Sequence, residues 1–130
     1  MFLLDIDACI DVLRGVVAVV QKLEKLSPDD CVVSSISAFE LYAGIYLTHH
    51  SDREKRKVDK LLNLLTVVAF DRVTAQEAAR LRSELEGKGT PIGPYDLLIA
   101  AQALRSKCVL VTANLAEFGR IESLKLESWR

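Results

Sequence analysis

A chain of 130 residues, half of them hydrophobic and 27% charged, suits one domain with a real core. Its formal net charge of −1 provides no strong overall field for polyanions, so a nucleic-acid role needs a local basic patch. No apolar run approaches the roughly 20 residues of a membrane span. No basic segment precedes the short apolar start, so no signal peptide is expected. Cys9, Cys31 and Cys108 are widely spaced in apolar surroundings. They read as buried small hydrophobes in a reducing, cytoplasmic compartment. Without a CxxC or Cys/His cluster, a structural zinc site is not expected.

The chain opens on a short apolar run, Phe2 to Asp5, which reads as a buried parallel strand ending in an acid. Asp7 is the expected cap of a helix over Ala8 to Arg14, with Gly15 as its stop. Val16 to Leu26 repeats apolar residues at a helical period. Ser27 to Asp30 is a turn, and Cys31 to Val33 a second buried strand. Ser34, Ser35 and Ser37 offer caps for a helix from Ile36 to Thr48, broken at His49 to Asp52. Arg53 to Leu65 is amphipathic and helical. Thr66 to Phe70 is a β-branched third strand. Thr74 is the expected cap of a helix over Ala75 to Glu86, with Glu77 completing a capping box. A Gly- and Pro-rich loop leads to a buried helix, Tyr95 to Ser106. Cys108 to Thr112 is a fourth strand, Asn114 to Phe118 a single helical turn, and Leu124 to Leu126 a short edge strand. Strands alternating with helices give one α/β domain with a mainly parallel sheet of four to five strands.

Four polar residues share one context. Asp5 ends the first strand. Glu40 sits on a largely apolar helix after the second. Asp96 opens the helix after the Gly/Pro loop, and Asn114 follows the fourth strand. Segments that leave a parallel sheet emerge at one edge, where such folds bind ligands. The acids are therefore expected to converge. Each has an ordinary alternative role, as a cap, a dipole partner or a turn residue. At ~4 Å and an effective dielectric near 20, two carboxylates repel by about 4 kcal/mol, which a cation offsets. Oxygen donors of this kind suit Mg²⁺ or Mn²⁺.

The segments FLLDIDACIDVLRG, VSSISAFELYAGI, GTPIGPYDLLIAAQAL and LVTANLAEFGRIESLKLESW, in this order, resemble the VapC-type toxins among the PIN-domain ribonucleases. The resemblance covers nearly the whole chain. It implies a parallel sheet with helices on both faces, a PIN-like three-layer α/β/α domain. It implies metal-dependent endonucleolytic cleavage of RNA. Asp5, Glu40 and Asp96 then stand at the metal centre. Asn114 completes the pocket, and Asp7, Thr112 and Glu117 lie behind. The closing tail is similar to that of a branch attacking initiator tRNA at its anticodon stem-loop. The implied partners are a cognate VapB-type antitoxin and a second copy of the chain. The amphipathic segments Val16 to Leu26 and Arg53 to Leu65 are candidate contact surfaces. Arg14, Lys88 and Arg120 are candidates for gripping RNA, whereas Arg53, Lys55, Arg56 and Lys57 read as a solvated helix face.

One departure is plain. Ile6 stands where the family usually carries Thr, so a hydroxyl beside the pocket is lost. This keeps open an alternative, a catalytically weak or inactive PIN-like interaction module. DIDAC also resembles the nucleophile motif of haloacid-dehalogenase-type phosphatases, but too little chain follows the fourth strand for that family's remaining motifs. A phospho-receiver domain would lack its Lys after that strand. His49 and His50 read as loop residues, and Trp129 as a packing anchor.

Overall fold

The computed structural model describes residues 1–49 and 52–130. Five strands form one sheet: β1 (Phe2–Leu4), β2 (Cys31–Ser34), β3 (Thr66–Val68), β4 (Val109–Val111) and β5 (Leu126–Glu127). Their spatial order is β3-β2-β1-β4-β5, and every neighbouring pair is parallel. Leu3 lies beside Val32 and Leu110. These three point to one face and pack on α5 (Arg72–Gly87) and α6 (Pro94–Ser106). Leu4, beside Val33 and Val111, points to the other face. That face carries α1 (Ile6–Leu13), α2 (Val17–Glu24), α3 (Ser35–Leu47) and α4 (Asp52–Leu64). The side-chain period of two thus splits the core into two layers and gives the expected three-layer domain.

The strands from the central runs are as expected, though β1, β3 and β4 stop one or two residues earlier and β2 runs one residue further, to Ser34. The final strand is shifted to Leu126–Glu127 and lies on the sheet edge. Helix α7 (Leu115–Phe118) is the single turn foreseen after β4. Two caps differ from expectation. Asp5, not Asp7, caps α1, accepting the Ala8 N–H at 2.8 Å. The chain turns into the helix one residue after the strand, which leaves Asp7 in the first turn and exposed. Likewise Asp71, not Thr74, caps α5. Its carboxylate accepts both the N–H and the hydroxyl of Thr74. Glu77, expected in a capping box, instead pairs with Arg80.

The three cysteines are free and buried. Trp129 is buried and meets Phe2 edge-on at 5.8 Å, so it is a packing anchor. His49 closes a turn with φ of 54°, in the loop as expected. His50 and Ser51 lie outside the described residues. The charge run on α4 is a solvated face laced by Lys55–Asp59 and Lys57–Glu54 pairs.

A buried polar network ties the strand exits together. The Ser34 hydroxyl caps α3 through the Ile36 N–H and donates to Gln102 Oε1 at 2.6 Å. Gln102 Nε2 donates to the carbonyl of Ala69 at 3.0 Å, just past β3. Gln102 is almost wholly buried in an otherwise apolar stretch of α6. Gln102→Ala strands a buried hydroxyl and opens a cavity. It should lower the urea-unfolding free energy by about 2 kcal/mol. An unchanged midpoint would show the network to be dispensable.

Candidate active site

Asp5, Thr112 and Asn114 meet where β1 and β4 leave the sheet side by side. Consecutive strands run to one side of β1 and later ones to the other, which makes this edge a topological switch point. Asp5 is 3% exposed. Its backbone N–H donates to Val111 O, and its carboxylate accepts from Ala8 and from the Thr112 hydroxyl. Burial nevertheless pushes it up to about 6, with the charges of Asp7 and Asp96 adding to the shift.

Glu40 projects from the middle of α3. Burial raises its carboxyl above the usual range, and Asp96 and Asp7 raise it further. Its Oε1 is buried and, among the described residues, has no hydrogen-bond partner. Ser37, one turn earlier on α3, also has a buried hydroxyl without a partner. Asp96 lies in the first turn of α6. It too is pushed up to about 6, first by burial and then by Glu117.

Glu117 is held below its usual range by the Gly93 N–H, the Asn114 amide and Asp96. The Asn114 Nδ2 donates to Glu117 Oε2 at 3.0 Å, and Asn114 caps α7 through the Glu117 N–H. Gly93 lies against both carboxylates. A Cβ there would sit 3.5 Å from Glu117 Oε1 and 3.7 Å from Asp96 Oδ2. Asn114 therefore reaches the pocket through Glu117.

The structure sets both Asp5 and Glu40 in the field of Asp96 and adds Asp7, whose charge acts on all three. Asp7 is thus part of the acidic rim and no cap. Thr112 is buried and fixes both Asp5 and the Asn114 N–H. Arg14 lines an open groove of about 680 Å³ with Glu40, Ile10, Leu41 and Val58. Arg120 donates to the Pro91 carbonyl, in the loop ahead of α6. Lys88 ends α5 and, among the described residues, pairs with none of these acids.

One residue at the site escaped the sequence reading. Arg130 grips the buried Asp11 of α1 through two bonds of 2.7 Å, and its charge is felt by Asp7 and Asp5. The only sequence signal was an acid one turn beyond Asp7 on a helix that is otherwise apolar there.

All donors facing the pocket are oxygens, which fits a hard divalent cation. The unpartnered Glu40 Oε1 and the raised carboxyls of Asp5 and Asp96 fit one also, because a cation would reverse both penalties. Among the described residues, no three acids are yet drawn together tightly enough to chelate an ion by themselves.

A doubly wound parallel domain with acids gathered at its switch point defines a class of α/β proteins. The family model of the PIN domain matches residues 2–123. The chain belongs to the PIN-domain family. It is 34% identical over 128 residues to the tRNA(fMet)-specific endonuclease VapC of Salmonella typhimurium, covering 98% of this chain and 97% of that one. It is 34% identical over 131 residues to ribonuclease VapC2 of Rickettsia felis, covering 99% and 98%. The crystal structure of VapBC2 from Rickettsia felis, bound to a DNA fragment from their promoter, superposes with a TM-score of 0.92 at 33% identity. That likeness covers 99% of this chain and 98% of the other.

The raised carboxyls fix a pH dependence. An acid whose folded pKa exceeds its ordinary 3.8 holds a proton that the unfolded chain releases. Its contribution is therefore full below about 4 and falls away as pH rises through about 6. In metal-free protein, Asp96→Asn should gain melting temperature relative to the parent over this window and keep the gain at pH 7.5. A variant that loses ground with rising pH would contradict the placement of Asp96 among the acids.

Proposed function

We propose that this chain is the toxin of a VapBC-type toxin–antitoxin pair and hydrolyses RNA phosphodiester bonds at the acidic pocket. The observation that carries the reading is the buried, unpartnered Glu40 Oε1 in the field of Asp96 and Asp7, at a pocket where burial first of all pushes Asp5 and Asp96 up to about 6. Such a set is stable as anions only with added positive charge. Asp5 and Asp96 would hold Mg²⁺ or Mn²⁺, with Glu40 as a third holder. Bound there, the ion would supply charge compensation and Lewis acidity toward a phosphoryl group.

The chain's own residues divide the remaining work. Glu40 Oε1 accepts the proton of the attacking water or orients it. Thr112 and the Ala8 N–H fix the Asp5 carboxylate in one rotamer. Glu117, pinned by Asn114 and Gly93, adds its negative charge beside Asp96. Water attack leaves a 5′-phosphate and a 3′-hydroxyl, so the neighbouring 2′-hydroxyl takes no part. The name of the Salmonella relative supports initiator tRNA as the target, and the resemblance of the closing tail points to a cut in its anticodon stem-loop.

The groove between α1, α3 and α4 supports a seat for an amphipathic antitoxin segment. Its floor includes Ile6, Ile10 and Ile45, and Glu40 and Arg14 lie on its wall. An antitoxin Arg reaching Glu40 would replace the ion's charge. The chain is proposed to act as a homodimer.

Brief induction in cells followed by mapping of RNA ends tests the reading. One dominant cut in a tRNA anticodon loop is expected. Asp96→Asn and Glu40→Gln should each lower cleavage at least 100-fold, and chelator should do the same to the parent. An unchanged RNA profile with the parent chain would favour the noncatalytic module.

Ile6, the first residue of α1, is half-buried, packs on the core and lines the same groove. Restoring a hydroxyl there by Ile6→Thr should speed cleavage at fixed Mg²⁺. Equal rates would show that the missing hydroxyl has no catalytic consequence.

A further inference from the structure

The residues immediately before two pocket acids are aromatic and exposed. Phe39 precedes Glu40 on α3 and is 56% exposed; Tyr95 precedes Asp96 on α6 and is 48% exposed. The two helices pack together, and the rings meet across them with centroids 6.3 Å apart and planes tilted by 42°. Neighbouring positions on a helix point about 100° apart, so the rings flank the pocket and do not fill it. They make an aromatic lip spanning the two helices that carry Glu40 and Asp96.

Two half-exposed rings held against each other beside a reaction centre present a flat apolar surface to whatever enters it. Charge narrows the choice. Asp5, Asp7, Glu40, Asp96 and Glu117 together outweigh the two charges of one divalent ion, so this edge still repels the phosphates that flank the scissile one, and a net charge of −1 gives no compensating long-range attraction. Affinity for RNA at this edge therefore has to come largely from contacts that ignore charge. Stacking of an unpaired base on an aromatic face is such a contact. A paired base offers no free face, so the lip also selects for loops over duplex.

Resting on the pocket being where RNA is cut, we infer that Phe39 and Tyr95 form a stacking platform for an unpaired base next to the scissile phosphate. The platform supplies substrate affinity and a preference for single-stranded loops.

The test compares an anticodon-stem-loop RNA hairpin with a fully paired duplex of similar length, using the full chain. Phe39→Ala combined with Tyr95→Ala should raise KM for the hairpin about ten-fold or more while kcat changes little. The same pair of changes should weaken hairpin binding to the cleavage-deficient Asp96→Asn protein to the same degree. Tyr95→Phe, which keeps the ring, should recover the loss seen with Tyr95→Ala. Light scattering on each variant reports its mass. An unchanged KM overturns the platform. So does a KM loss that tracks dissociation of a dimer, which would assign the lip to a second copy of the chain, or equal loss on duplex. A parent chain that binds and cleaves neither RNA overturns the reading of the pocket itself, and the platform with it.

Discussion

The Asp5 carboxylate has two roles with opposite demands. As the cap of α1 it accepts the Ala8 N–H, and the positive end of the helix favours it as an anion. As a residue 3% exposed beside other acids, it is pushed toward the neutral form, to about 6. Both follow from where β1 stops. The strand pairs with β2 and β4 only through Leu4, and the chain turns into a helix at the next residue. The turn sets Asp7 on the pocket rim and Asp11 one helical turn further, against Arg130. Moving the cap to Asp7 would shift the helix by two residues and rotate the acids away from the sheet edge.

Residues distant in sequence hold this edge together. Ser34, Gln102 and Ala69 link the ends of β2 and β3 to α6, the helix that carries Asp96. Thr112, at the end of β4, reaches both Asp5 and the backbone of Asn114. Each link uses a polar group buried in an apolar layer, where an unmatched donor or acceptor is costly. The site's geometry is thus held by hydrogen bonds that the core would penalise if they were broken.

This division explains what the sequence made legible. The short runs at Phe2, Cys31 and Val109 are apolar on successive residues because both sheet faces are covered, and strands of that kind declare themselves. The acids were visible because each follows a strand or sits on an apolar helix. The caps were not. Asp5 and Asp7, or Asp71 and Thr74, both satisfy a local capping pattern, and only the exit angle of the preceding strand chooses between them. The Glu117 tie to Gly93 spans 24 positions, Gln102 to Ser34 spans 68, and Arg130 to Asp11 spans 119. No periodicity encodes such pairs, so they emerge only from the folded topology.

The near-neutral total conceals how unevenly charge is spread. Several cations are matched on their own helices: Lys55 with Asp59, Arg80 with Glu77 and Glu84, and Arg82 with Glu86. Arg130 is bound to Asp11 and reaches the pocket acids only through its field. Among the described residues, Asp5, Glu40 and Asp96 make no ion pair, and burial with neighbouring acids pushes Asp5 and Asp96 up to about 6. Added positive charge would relieve that penalty. Under the proposed function, a divalent ion does so in the active toxin and a guanidinium of the antitoxin in the silenced one. Activity and inhibition then draw on one electrostatic deficit, and whichever cation neutralises Glu40 decides the state.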